Sequence, residues 1–321
     1  MRVVFAGTPA FAVPALCRLL ESSHEVAAVV TQPDRPSGRG LKEAASPIKV
    51  LAQQNNIPIF QPAKLKTPPF VDILRPYKPD VIVVVAYGKI LPKEMLELPR
   101  YGCINIHASL LPKYRGAAPI NWAIMNCETE TGVTIMKLDE GMDTGDILLS
   151  ESIPILEDDD ALSVGNMLSV LGAELLMRVL DDLEKSGELK GTPQDHTQAT
   201  YAPCIVKEDC RIKWDEGFER VLCHIMGLSP VPGAFTMLGD KRINIIQAEP
   251  FFGEKEEHQT LLNLKGFQPG SVIKILRGKG PVVRAKDGLI VLLQLQPPGK
   301  RVMNGQDFVN GGYIKEGQRF E

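Results

Sequence analysis

Apolar and polar positions divide the chain into two regimes. Through residue 188, short β-branched runs at residues 2–6, 26–30, 81–85, 103–107, 133–138 and 147–150 read as strands. Residues 11–20 and 47–54 between them read as helices, the first with Pro14 in its opening turn and the second capped by Ser46 ahead of Pro47. Thr67 with Pro68 repeats the cap pattern for a shorter helix. Val164, Leu168, Leu171, Leu175 and Val179 recur at helical spacing, and Gly187 stops that helix. Strands alternating with helices predict a Rossmann-like α/β domain, a mostly parallel sheet in three layers. Its central strand is the unbroken VIVVV run, apolar enough to be covered on both faces. Residues 189–207 lack periodicity. After them come a helix near residues 218–226 and short strand-like runs at 242–246, 271–276, 282–285 and 289–295. Gly278-Lys279-Gly280 and Asp287-Gly288 join the later runs as hairpin connectors. This half predicts a small OB-like antiparallel β-barrel. The expected division is residues 1–188 as an α/β domain, 189–206 as a linker and 207–321 as the barrel.

The strand at residues 103–107 carries the candidate chemistry. Cys103, Ile104 and Ile106 favour burial, and strand alternation puts Asn105 and His107 on one face. Ser109, Pro112 and Gly116 bring turn chemistry and end the strand, which leaves a carboxamide and an imidazole at a carboxyl edge, where open α/β sheets place ligands. A glycine-rich acidic loop, DEGMDTGDI, begins at Asp139; if it folds back over the strand end, Asp143 orients and charges the imidazole. A donor, an acid/base group and its carboxylate suit acyl transfer, in which a tetrahedral oxyanion needs placed donors and the attacking amine must shed a proton. No Ser, Cys or Lys nucleophile is implied, so direct transfer between two bound substrates is the simpler route.

Each group also has a plainer reading. A lone histidine at a strand end is more often structural than catalytic. Asp143-Thr144-Gly145 matches the aspartic-protease tripeptide, but one copy lacks the second aspartate with which to share a proton. Asp139, Glu140 and Asp146 lack EF-hand spacing, and with no His/Cys cluster no metal is expected. Gly7 stands alone where dinucleotide binding needs three glycines, which argues against a nucleotide cofactor.

At 321 residues, two domains are the default, and 44% hydrophobic with 23% charged residues describes a globular protein rather than a disordered one. The net charge of −3 argues against wholesale nucleic-acid binding, yet from Lys207 onward 17 basic residues face 14 acidic ones. No export leader is expected, because Met1 leads straight into a strand, and no uninterrupted apolar run is long enough to span a bilayer. Six scattered cysteines without a C-x-x-C are expected to be reduced structural thiols in a cytoplasm. The long polar stretch at residues 31–47, with Arg35, Arg39 and Lys42, has the length of a functional loop.

NIHASLLPKYRGAAPI followed by ETGVTIMKLDEGMDTGDIL resembles the formyl-tetrahydrofolate-dependent formyltransferases. AGTPAFAVPAL, TQPDRPSGRG, SPIKVLA, VVVAYGKILP and LQPPGKRVMNGQDFVNG extend the likeness over nearly the whole chain, towards the branch that acts on tRNA; it is weakest at residues 249–267. The resemblance implies an enzyme that moves a formyl group from 10-formyltetrahydrofolate to the α-amino group of initiator methionyl-tRNA. By the match, Asn105 and His107 steady the oxyanion, while Asp143 holds His107 and assists proton removal. A model α-amine has a pKa of about 8, so a modest base suffices. Ser109, Leu110, Leu111 and Pro112 match the folate segment, and Ala86, Tyr87, Gly88, Ile90 and Leu91 would face the pterin. Arg39 and Lys42 fall on the insertion that reaches the tRNA acceptor arm, Phe11 would wall the methionine side chain, and the barrel would lie along the tRNA. A cytoplasmic monomer with no membrane or DNA partner is expected. Glu43, Ala45 and Val231 depart from the family pattern and bear on loop packing and tRNA contact, not on the chemistry. A sugar-nucleotide amine formyltransferase is the alternative, sharing the Asn-His-Asp trio but without the PDRPSGRG loop or this kind of second domain. A non-catalytic RNA-binding protein would not need the trio together.

Overall fold

The computed structural model describes residues 1–37, 42–66, 69–253, 260–261 and 266–321, so Arg39 and the Thr67-Pro68 cap lie outside the described residues. The chain divides into two compact units. The first holds residues 1–119, 130–154 and 165–203, and the second residues 120–129, 155–164 and 204–321.

In the first unit the strands are β1 (Arg2–Gly7), β2 (Glu25–Val30), β3 (Arg35–Ser37), β4 (Lys42–Ala44), β5 (Ile59–Phe60), β6 (Val81–Val85), β7 (Cys103–His107), β8 (Arg115–Gly116), β9 (Glu130–Lys137), β10 (Ile147–Pro154) and β11 (Tyr201–Ala202). Seven of them form one sheet in the order β10-β9-β7-β6-β1-β2-β5. It is mostly parallel, as the alternation of strand and helix predicts; β9 alone runs against both of its neighbours. Val81 to Val85 is fully covered apart from a trace at Val84, in keeping with its central place.

Sheet register decides which side chains reach the site. Val84 pairs with Asn105 and Ala6 with Val84, so these residues share a face. Farther down that face Cys103, Ile82 and Val4 pack in one apolar cluster with Leu74 and Met95, which belong to the helices Val71–Leu74 and Lys93–Leu96. Burial pushes the Cys103 thiol up to about 12. On the opposite face Ile106 meets the helix Ala161–Ser186, where a Cβ on Gly172 would stand 2.6 Å from Ile106 Cγ2. Glycine there lets helix and sheet approach closely. Each buried Ile contributes about 2 kcal/mol, and a one-residue slip of β7 would turn Ile104 and Ile106 to the other face and take Asn105 and His107 out of the site. Gly7 likewise serves packing: a Cβ would lie 3.0 Å from the Val85 carbonyl and 2.8 Å from Phe5.

Within the polar stretch at 31–47, residues 35–37 and 42–44 are strands. β3 and β4 pair antiparallel, and Asp34 at their base accepts hydrogen bonds from Lys49 and, at 2.8 Å, from Gln61. These donors hold the Asp34 carboxyl below its usual range. Ser46 caps the helix Pro47–Gln54 by accepting from the Lys49 N–H at 3.1 Å. The helix Ala161–Ser186 is long and apolar enough to cross a membrane by length and composition. Asn166, Glu174 and Arg178 interrupt it, and Val164, Leu168, Leu175 and Leu176 are fully buried in the protein.

In the second unit β12 (Ala234–Leu238), β13 (Lys241–Pro250), β14 (Val272–Leu276), β15 (Gly280–Arg284), β16 (Leu289–Gln296) and β17 (Met303–Asn304) form an antiparallel sheet in the order β12-β13-β16-β15-β14, with β17 on β16. Its two edges are joined by residues 318–321. Glu321 exchanges both backbone hydrogen bonds with Met237 on β12, at 2.9 and 2.8 Å, while Val272 on β14 donates to Gln318 at 2.8 Å and Phe320 donates to Gly270 at 2.9 Å. The expected small antiparallel barrel is therefore closed by the tail of the chain. The expectation of six reduced thiols needs correction. Cys127 and Cys223 form a disulfide, with Cα atoms 5.5 Å apart. Residues 120–129 belong to the same unit as the helix Phe218–Leu228, which brings together cysteines 96 positions apart with no local spacing to announce it.

Candidate active site

β1, β6 and β7 are adjacent and parallel, so the loops that follow them leave one edge of the sheet. Phe11, the segment 86–91 and the segment 109–112 lie on these loops. Ala86 and Gly88 are exposed, both with positive φ, and Ile90 is 86% exposed. Tyr87 and Leu91 face the core instead; what Tyr87 offers the edge is its carbonyl, which accepts from Gln32 Nε2 at 3.0 Å. Ser109 is fully buried and ties the turn, its hydroxyl donating to the Lys113 carbonyl at 2.7 Å. The Leu111 N–H donates to Thr134 Oγ1 at 3.1 Å, and that hydroxyl donates to the Ser109 carbonyl at 2.7 Å. Leu111-Pro112 is a cis peptide. Lys42 lies in β4.

His107 is 5% exposed, and its ring is fixed at both edges. Nε2 stands 2.9 Å from the Tyr114 carbonyl, which only accepts, so Nε2 carries a proton. Nδ1 faces Asp143 Oδ2 at 3.6 Å. Asn105 differs: among the described residues its carboxamide makes no hydrogen bond, so an amide donor stays open on the same face of β7.

Because β9 runs antiparallel to β7, the loop that carries Asp143 starts at the wrong end. Leu138 pairs with Cys103 through its N–H at 2.8 Å, about 13 Å below His107 along the strand. Residues 139–146 then fold back along the sheet. Asp139 organises that return by accepting from the Gly141 N–H at 2.9 Å and from Thr144 Oγ1 at 2.7 Å, so this carboxylate is spent inside the loop. Gly145 passes so close to Lys137 that a Cβ would sit 1.9 Å from its carbonyl oxygen. Asp143 itself adopts φ 53°, and its Oδ2 accepts from the Gly116 N–H at 2.8 Å. A Cβ on Gly116 would clash with the Ala202 carbonyl at 2.7 Å, which explains the glycine. Ala86, Tyr114 and Asp143, three non-glycine residues with positive φ, all lie on these loops; such conformations cost about 1–3 kcal/mol each and persist where surroundings enforce them.

The surroundings include residues that sequence reasoning missed. Residues 191–202, within the expected linker, brace both loops. Thr192 bridges to Ile147, Thr200 Oγ1 accepts from the Tyr114 N–H at 2.9 Å, and β11 pairs with β8. Gln194, 6% exposed, donates through Nε2 to the carbonyls of Asp143 and Gly145, at 2.9 and 2.7 Å. Arg115, 3% exposed, donates to Gln194 Oε1 from Nε and a terminal nitrogen, at 3.2 and 2.6 Å. Neither residue carried a motif of its own; Arg115 was visible only as part of KYRG.

An open amide donor, an imidazole held against a carboxylate, and a carboxyl-edge cleft can stabilise a tetrahedral oxyanion and take up a proton. Residues 1–180 match the family model described as formyl transferase, and residues 204–312 the one described as formyl transferase, C-terminal domain. A methionyl-tRNA formyltransferase of Caldanaerobacter subterraneus subsp. tengcongensis is 48% identical over 99% of this chain and 99% of its own. Another, from Citrifermentans bemidjiense, is 44% identical over 99% of this chain and 95% of its own. The crystal structure of HypX from Aquifex aeolicus in complex with tetrahydrofolic acid superposes with a TM-score of 0.67 at 22% identity, covering 98% of this chain, which spans 48% of that protein. Matched over both units, this chain belongs to the formyl transferase family.

Proposed function

We propose that this protein transfers a formyl group from 10-formyltetrahydrofolate to the α-amino group of initiator methionyl-tRNA. The observation that carries the reading is the match to methionyl-tRNA formyltransferases along 99% of the chain at 44–48% identity, with the barrel unit included. The sugar-nucleotide alternative has less support, because it does not call for a match to tRNA-acting relatives through residues 204–321.

The folate donor would lie along the carboxyl edge, against the exposed residues Ala86, Gly88 and Ile90 and the turn at 109–112, with its formyl carbon beside Asn105. The amine attacks that carbon, the carbonyl oxygen becomes an oxyanion, and collapse expels the folate nitrogen, which takes up a proton. The Asn105 amide donates to the oxyanion. His107, held between the Tyr114 carbonyl and Asp143, steadies it from the same face of β7, and the His107–Asp143 pair receives the proton that the amine sheds. Arg39 and Lys42 grip the acceptor end, and the mildly basic barrel contacts tRNA phosphates in the cytoplasm, where the enzyme acts as a monomer.

Purified protein supplied with 10-formyltetrahydrofolate and charged initiator tRNA is expected to accumulate formylmethionyl-tRNA; product no higher than the enzyme-free blank would sink the reading. Arg39→Ala is expected to lower the preference for initiator over elongator methionyl-tRNA by roughly tenfold, read as the ratio of kcat/KM values. An unchanged ratio would remove Arg39 from the grip.

A further inference from the structure

We propose that Arg115 and Gln194 act as a positioning pair that sets the Asp143 carboxylate against His107; this rests on the formyl-transfer reading above. The chain of contacts begins with a charge. Among the described residues no carboxylate lies within ion-pair range of the buried Arg115 guanidinium, and its acceptors are Gln194 Oε1 and, at 3.0 Å, His196 Nδ1. A buried cation is costly without acceptors, so Arg115 fixes which end of the Gln194 amide faces it. The amide nitrogen is then committed to the opposite side, where it donates to the carbonyls of Asp143 and Gly145. Those two bonds pin the backbone on both sides of Thr144. With the peptide so pinned, Asp143 keeps its left-handed φ and directs Oδ2 to the Gly116 N–H and His107 Nδ1. Gly116 follows Arg115 directly, so one short strand supplies both the clamp on the Gln194 amide and the donor to the carboxylate.

Neither residue touches the site of formyl transfer through its own side chain. The effect is therefore on turnover, not on donor binding. Gln194→Glu separates positioning from mere stability. A glutamate still accepts from Arg115, now as a charge pair, but it has no donor for the two carbonyls and turns a carboxylate towards them. Gln194→Glu is expected to lower kcat roughly tenfold or more with KM for 10-formyltetrahydrofolate within about twofold, since small misplacements of a catalytic group carry such losses. Its melting temperature should fall by no more than a few degrees. Wild-type kcat in this variant would overturn the proposal. Should Gln194→Glu fail to fold, Arg115→Lys retains the charge but not the paired bonds to Oε1; a kcat loss of about threefold or more supports the pair, and unchanged kcat overturns it. Amide exchange at Gly116 tests the same contact without catalysis. Faster exchange at Gly116 in Gln194→Glu supports the positioning role even if the wild-type protein formylates no tRNA, and unchanged exchange overturns it even if the wild type is active.

Discussion

His107→Ala and Asp143→Asn are each expected to lower the turnover number for formyl transfer by roughly a hundredfold or more, and the double variant is expected to be no slower than the poorer single one. Asparagine at 143 keeps the shape, and its side-chain oxygen can still accept from the Gly116 N–H. What disappears is the negative charge 3.6 Å from His107 Nδ1 and with it a place for the amine's proton. Alanine at 107 removes the ring that spans the distance between the Tyr114 carbonyl and that carboxylate. The two changes cut one link at different ends, so the second has little left to remove. Single-turnover rates with saturating donor and charged tRNA measure this directly, with equilibrium donor binding as the control. Losses that multiply in the double variant would show that His107 and Asp143 act independently.

The legible part of this site was local. Alternation along CINIH was enough to set Asn105 and His107 on one face, and the register Val84 to Asn105 shows the same face continuing into an apolar core. The Ser46-Pro47 start and the Gly187 stop were equally readable, because caps and left-handed glycines are decided within one turn of helix. What stayed hidden depends on contacts between residues far apart in sequence. Gln194 sits in an aperiodic polar stretch, and its role exists only because a buried guanidinium and two loop carbonyls converge on it. β12 was missed because AFTML is short and follows a proline-rich turn, and the helix Gly305–Asn310 because it is too short for a periodic signal. The Cys127–Cys223 pair needed residues 120–129 to join a unit built mainly from the far end of the chain. For Gln194 and the two cysteines, the partner that gives the residue its role lay tens of residues away.

Phe320→Ala is expected to destabilise the second unit by about 3–5 kcal/mol, a large fraction of what holds an ordinary domain together. Phe320 is fully buried and stacks on Trp214 with ring centroids 6.1 Å apart. Trp214 is itself 4% exposed and donates from Nε1 to Thr236 Oγ1 at 2.8 Å; that hydroxyl donates to the Glu321 carbonyl at 3.0 Å. The ring therefore anchors the segment that joins β12 to β14, and truncating it opens a cavity where the barrel is closed. Loss of the anchor also weakens backbone pairing at Met237 and Val272, leaving two strand edges to water. Trp122 and Trp214, the two tryptophans of the chain, both lie in this unit, so their fluorescence during denaturant unfolding reports on it. The midpoint should shift down strongly in Phe320→Ala and by much less in Phe320→Leu, which keeps most of the volume. A loss below about 1 kcal/mol in the alanine variant would mean that the barrel closes without its last residues, because a side chain that merely lies on the surface costs little to remove.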